Sequence, residues 1–220
     1  MNNKLISKNI DNPTYFNAMG FKLLITIMVL MYLMIPLAHA DSNKHGIESF
    51  FGFGKTVIEV DIVENPRKFS FDETPVFEDG SPAYGSEFIT QGFIYPKGTL
   101  EIGDGVDADG NPQFPDLVMG TWFCRGWHVG NGARTETGPA VITNQIFNFG
   151  EKFGAKTITT DGLELADIGE PVKRAITGGT GHFKRAKGEQ VQILEGLNQF
   201  ETEQGALLGV KLQVKLKVYR

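Results

Sequence analysis

The chain is poor in the side chains that most enzyme chemistries need. Its 220 residues hold one cysteine and four histidines. With Cys124 alone, no intramolecular disulfide can form in any compartment, and a single cysteine flanked by Trp122, Phe123 and Trp127 reads first as a small buried hydrophobe. His39, His45, His128 and His182 are too scattered for a metal-ligand pattern, so no metal and no cofactor is expected. There is no Gly-x-Ser-x-Gly and no His-Glu-x-x-His. Gly52-Phe-Gly-Lys-Thr56 ends as a phosphate-binding loop does, but Ser49 stands where the first glycine belongs and no strand precedes it. Asp107-Ala-Asp109-Gly110 resembles part of a calcium loop. Gly105 takes the place of that pattern's first aspartate, and Asp116 stands where a bidentate glutamate would close it, so a solvated loop is the better reading.

Basic charge is also scarce. The net charge is −5, and residues 1–40 hold three lysines against one aspartate, so without them the balance becomes −7. That argues against nucleic acid and anionic membrane surfaces as partners. Lys211, Lys215 and Lys217 alternate along one strand and fit its solvated face.

Residues 21–40 pair a lysine with an apolar run that ends in Pro36 and Ala38-His39-Ala40, the form of a secretory signal peptide. Cleavage is expected after Ala40, and Met19 begins a signal peptide of ordinary length. The protein is therefore expected to be periplasmic or secreted. Residues 41–55 read as a flexible leader and 56–220 as one domain.

What the domain has in quantity is glycine, at 27 residues, and phenylalanine, at 17. Strand-period alternation recurs between turn clusters. Strands are expected over 56–63, 68–71, 88–95, 99–102, 117–129, 139–149, 156–160, 171–176, 182–194 and 207–219, without a convincing helix. In the last, Leu208, Val210, Leu212, Val214, Leu216 and Val218 alternate with polar residues, which puts one face in a core. The predicted fold is all-β, an antiparallel β-barrel. The first strand has an apolar face, Thr56, Ile58, Val60 and Ile62, and a face carrying Glu59 and Asp61 between Val57 and Val63. The second face lines either a lumen or solvent. In a lumen, desolvation would raise a carboxyl's pKa into the range of proton transfer. Parity puts His128, but not Arg125, on the same face as Cys124.

Ala175-Ile-Thr-Gly-Gly-Thr-Gly-His-Phe-Lys-Arg-Ala-Lys-Gly188 resembles the signature of plant allene oxide cyclases and dirigent proteins. The likeness continues through Gly120-Thr-Trp-Phe-Cys-Arg-Gly-Trp-His128 and Ile142–Gly150, and more faintly through Thr56–Asn65. It implies an eight-stranded antiparallel barrel. It also implies that Glu59 matches the cyclase glutamate that handles charge on the substrate epoxide, that Asp61 replaces a water-holding asparagine, and that Cys124 matches a cavity cysteine. Trp122, His128 and Phe183 join them as candidate substrate-binding residues. A second water-holding asparagine of that family falls near Gly92, and its cavity tyrosine has no counterpart around Leu163. The implied partner is a small hydrophobic molecule, and the implied activity an isomerase or cyclase, with a dirigent-like or carrier role without turnover as the alternative. A homo-oligomer is compatible with this reading.

Overall fold

The computed structural model describes residues 54–72, 84–134, 139–202 and 205–219. The expected signal peptide, the expected leader up to residue 53 and the turn cluster at 79–82 lie outside them. Among the described residues nine strands form: β1 (Lys55–Glu64), β2 (Ser70–Phe71), β3 (Glu87–Pro96), β4 (Gly120–Arg134), β5 (Pro139–Phe149), β6 (Thr157–Glu164), β7 (Pro171–Gly179), β8 (Lys187–Thr202) and β9 (Gly205–Tyr219). They pair antiparallel in the order β1-β9-β8-β7-β6-β5-β4-β3-β2, and β1 also pairs with β3. That extra pairing, Val60 opposite Pro96 through Glu64 opposite Gly92, closes eight strands into a barrel and leaves β2 as an appendage on β3. Closure leaves no wall strand with an open edge, which is why alternating strands suffice without covering helices.

Four of the expected strands form differently. Thr99–Glu101 is a single 3-10 turn, Pro115–Leu117 is another, β8 begins only at Lys187 because Gly181–Phe183 forms a third, and a fourth at Pro66–Lys68 shortens the 68–71 strand to Ser70–Phe71. The first of these begins after Gly98 at φ 89°, a left-handed conformation that breaks extended backbone.

The Gly-rich stretch is the corner between β7 and β8. Thr180 N–H donates to the Thr157 carbonyl at 3.0 Å and Ala186 N–H to the Phe183 carbonyl at 2.8 Å. Gly181 has φ 56°, and a Cβ there would fall 2.1 Å from the Ala155 carbonyl oxygen. A Cβ at Gly179 would fall 2.3 Å from the Thr157 carbonyl oxygen, whereas Gly178 has open space. Gly181→Val and Gly179→Val are each expected to lose more than ~1 kcal/mol of stability, since rigid backbone must give way. Gly178→Ala should be nearly neutral. Thermal melts of the three variants check this, and coincident curves would refute it.

The segment between β3 and β4, including the acidic loop, packs on the outside of the wall. Val63, Tyr95 and Val106 are buried there with Leu100, Phe114, Val118 and Phe200 around them. Tyr95 Oη donates to the Gly105 carbonyl at 2.7 Å, and Asn198 Nδ2 to that of Asp104 at 2.8 Å. Asp107 Oδ1 accepts the N–H groups of Asp109 and Asn111 at 3.0 and 2.8 Å, and Asn111 Nδ2 donates to Oδ2 at 3.2 Å. The carboxylate thus shapes its own turn, and among the described residues no cluster of three or more His, Cys, Asp or Glu side chains could hold a metal ion.

Candidate functional site

Strand alternation decides what enters the barrel. Even-numbered residues of β1, β3, β4, β6, β7 and β9, even-numbered residues of β8 as far as Leu194, where a bulge reverses its parity, and odd-numbered residues of β5 face the lumen. The lumen they fill has two unlike halves. Toward the Gly-rich corner it is apolar: Trp122, Phe147, Phe149, Ile158, Ile176, Leu216 and Val218 pack together, and Phe183 closes that end from the 3-10 turn. The Phe183 ring lies 5.8 Å from that of Phe149, and Lys156 Nζ sits 6.0 and 5.8 Å from the Phe149 and Phe183 centroids.

The opposite half is polar and centres on Glu164, at the end of β6. Its Oε1 accepts from Thr143 Oγ1, from Gln145 Nε2 at 2.8 Å, from Arg174 Nη1 at 3.3 Å and from the Cys124 thiol at 3.6 Å. Its Oε2 accepts from Gln192 Nε2 at 3.0 Å. Gln145 Nε2 also reaches Gln192 Oε1 at 2.8 Å, and Gln190 Nε2 reaches Gln145 Oε1 at 2.9 Å, so three amides from β5 and β8 interlock across the barrel. Arg174, on β7, is buried, with Nη2 donating to the Thr143 carbonyl at 3.0 Å. Gly162 makes room for it: a Cβ at that position would lie 3.3 Å from the Arg174 Cβ and Cγ. A buried guanidinium is tolerable only with such pairing. Some polar atoms of this interior stay without a protein partner, namely Thr160 Oγ1, Gln190 Oε1, Arg174 Nε and Trp122 Nε1.

Glu64, the last residue of β1, is a second carboxyl on the inward parity. Its Oε2 accepts the Val210 N–H at 2.9 Å, extending the contact of β1 with β9 by a side chain where the backbone ladder ends. Burial pushes its pKa up to about 7, and the Glu164 charge adds to the rise, against the lowering effect of the Thr90 hydroxyl and the Val210 N–H. Burial likewise pushes the Cys124 thiol well up, with the Glu164 charge acting in the same direction, so the thiol keeps its proton and donates.

The first-strand carboxylates named from the sequence face the other way. Glu59 lies on the outer surface, with Lys215 Nζ at 3.1 Å and Lys97 Nζ at 3.6 Å. Its partial burial acts to raise its pKa, but the two lysines outweigh that and hold it below the ordinary range. The reason is parity: Val60 and Ile62 enter the core, so Glu59 and Asp61 cannot. Asp61 is also outside the wall, buried beneath the loop, where it accepts the Leu100 N–H at 3.0 Å and burial raises its pKa. A lumen reading of that face is therefore corrected.

Cys124, Trp122 and His128 share the inward face of β4. They do not form one site, since Trp122 belongs to the apolar half, Cys124 touches Glu164, and the His128 ring lies 5.3 Å from that of Phe88, tilted by 57°, near the polar end. Burial lowers the His128 pKa, and its Nδ1 lies 3.2 Å from the Ser86 carbonyl. Phe183 plugs the end away from both carboxyls. Sequence reasoning missed Glu64, Glu164, Arg174, Gln145, Gln190 and Gln192. The signal for Glu64 was present, since it continues the Val60, Ile62 alternation by one more step. Gln190 and Gln192 alternate with Val191 and Ile193, both polar and apolar sets looking equally fit for a core.

The fold defined by this strand order is a closed eight-stranded antiparallel β-barrel with one appended strand. No family model matches the chain, and no curated protein does. Among solved structures it is similar to a pyocyanin demethylase, at 14% identity and TM-score 0.42 over 72% of this chain and 99% of that one. It is also similar to two pterocarpan synthase dirigent proteins. One has 13% identity and TM-score 0.47 over 84% of this chain and 100% of that one. The other has 13% and 0.48 over 76% and 96%.

Proposed function

We propose that this is a secreted barrel protein that binds a small, largely apolar molecule at the polar end of its lumen, with Glu64 as a proton-transferring group in an isomerase- or cyclase-like reaction. The observation that carries the reading is the Glu64 carboxyl, which is buried on the inward face and titrates at about 7. A group with that pKa can both take and give a proton at neutral pH, and its low-dielectric surroundings strengthen its interaction with any charge that develops nearby. Glu164 is suited to a different role. Its oxygens already accept from five side chains, which fixes it as a permanent acceptor that orients the amide network.

The apolar half of the lumen is filled by its own side chains, Trp122 and Phe147 foremost, so it offers a guest no room and binding falls to the polar half.

The test is mass spectrometry of ligand carried through native purification, followed by assay of whatever reaction that ligand undergoes, in Glu64→Gln with Glu59→Gln as the control. Glu64→Gln is expected to keep the fold and the ligand but lose turnover at least ~100-fold, the usual worth of a general acid or base. Glu59→Gln, an exposed ion-pair residue, should change neither turnover nor stability by more than ~1 kcal/mol. Full turnover in Glu64→Gln would leave the carrier reading. Loss of activity in Glu59→Gln alone would move the site to the outer surface.

A further inference from the structure

We propose that the guest of the polar half is an organic cation, a small apolar molecule carrying one protonated amine, held between the Glu64 carboxylate and the aromatic rings beside it. The inference rests on the reading that a guest occupies this half of the lumen, and it names that guest's charge. Glu64 is buried, and only one of its oxygens is engaged. Oε2 accepts the Val210 N–H at 2.9 Å, while Oε1 makes no hydrogen bond among the described residues. The Thr90 hydroxyl, on the facing strand β3, is close enough to act on the carboxyl's charge but outside hydrogen-bond geometry, so its Oγ1 is buried without a partner. A free carboxylate oxygen and a free hydroxyl oxygen therefore stand side by side as acceptors. An ammonium, with three donors and no acceptor, matches them.

The charges of this half leave Glu64 uncompensated. Across the lumen β6 carries Glu164, β7 carries Arg174, and β4 carries Cys124 and His128. The inward side chains of β3, β5 and β9 at this end, and of β8 as far as Leu194, are uncharged. The Arg174 guanidinium, wholly enclosed, is committed to Glu164 at 3.3 Å. Burial lowers the His128 pKa and raises that of Cys124, so both are uncharged at neutral pH and above. When Glu64 ionises, the polar half holds two carboxylates against one cation. That excess, in a low-dielectric enclosure, favours a cationic guest and repels an anionic one. Rings supply the rest of the recognition. Phe88 follows Thr90 on the same face of β3, about 7 Å along the strand, and Phe71 on β2 stands opposite Phe88. The Phe88 ring lies 5.3 Å from that of His128 and 5.9 Å from that of Phe69, which is exposed, so the cluster runs from beside the carboxyl out to solvent. Aromatic faces attract a desolvated ammonium and pack the apolar remainder of the guest. A cation also acts on Glu64 itself, favouring the ionised form, so the guest meets the carboxylate in the state that accepts a proton.

Isothermal titration calorimetry of the purified protein with phenethylamine, phenethyl alcohol and phenylacetate tests this, since the three share a ring and differ in the charge of the end group. At pH 8 the amine is expected to bind at least about tenfold more tightly than the alcohol, and the anion more weakly than either. An amine with a lysine-like pKa, roughly 10, stays protonated from pH 6 to 8. Its affinity should fall by up to about tenfold between pH 7 and 6, because Glu64 must then give up its proton, while that of the alcohol stays level. At pH 6, titrations in two buffers of different ionisation heat should show close to one proton released. Glu64→Gln keeps an acceptor oxygen and the rings, so it should retain the amine but bring its affinity within about threefold of the alcohol's at every pH. Phe88→Leu, first shown folded by its thermal melt, should weaken the amine more than the alcohol, by about threefold. An alcohol or anion that binds the parent as tightly as the amine overturns the cation and leaves the lumen reading in place. An amine preference that persists in Glu64→Gln overturns it as well, since the attracting charge then lies elsewhere. If none of the three binds at millimolar concentration, this inference and the lumen reading fall together.

Discussion

Glu164→Leu is expected to destabilise the protein by about 3 kcal/mol, because it leaves the Arg174 guanidinium buried without its carboxylate. The Arg174 side chain is fully enclosed while that of Glu164 is 15% exposed, so the guanidinium has less recourse to water. Thr143, Gln145 and Gln192 would lose an acceptor at the same time. Removing both charges should be far milder: in Glu164→Leu/Arg174→Met no uncompensated ion remains, and matched apolar replacement of a buried pair is often close to neutral. Urea denaturation of the two single variants and the double would measure the coupling. Additive losses in the double variant would mean that the two side chains do not act as a pair.

Through Glu64, stability should fall as pH rises from about 5 to 8, against an opposing rise from His128, whose pKa burial lowers. In the folded protein the Glu64 pKa is about 7, against a model value of 4.5. Between those values the native state holds a proton that the unfolded chain has released, so raising the pH favours unfolding. The stability that Glu64 contributes is fully present below the unfolded pKa and is lost as pH passes through the folded one. A displacement of this size corresponds to about 3 kcal/mol across the window. Glu64→Gln removes the titration, so the variant should show a flatter profile and be the more stable protein at pH 8. Parallel profiles for parent and variant between pH 5 and 8 would show that Glu64 is ionised in the folded state. Glu59 and Asp107 cannot produce the effect, since both are held below their ordinary range and act at lower pH.

The barrel was legible in the sequence because its evidence is local. Alternation along 207–219 marked the core face of β9, and the glycines at 178, 179 and 181 marked the corner before β8. Parity also put Trp122, Cys124 and His128 on one face of β4, which holds because a strand's period of two is fixed by its backbone. What parity could not decide was which face of β1 turned inward. Both faces held apolar residues, and Val63 with Tyr95 proved to belong to a second cluster under the loop outside the wall. That cluster depends on residues 97–119 folding back over β1 and β3, a long-range contact with no local signature. The polar centre was hidden for the same reason. Glu164, Arg174, Gln145 and Gln192 come from four strands, and each taken singly has the look of a solvated residue. Only closure of the sheet, through the pairing of β1 with β3, brings them to one enclosed place where their charges and amides must satisfy one another.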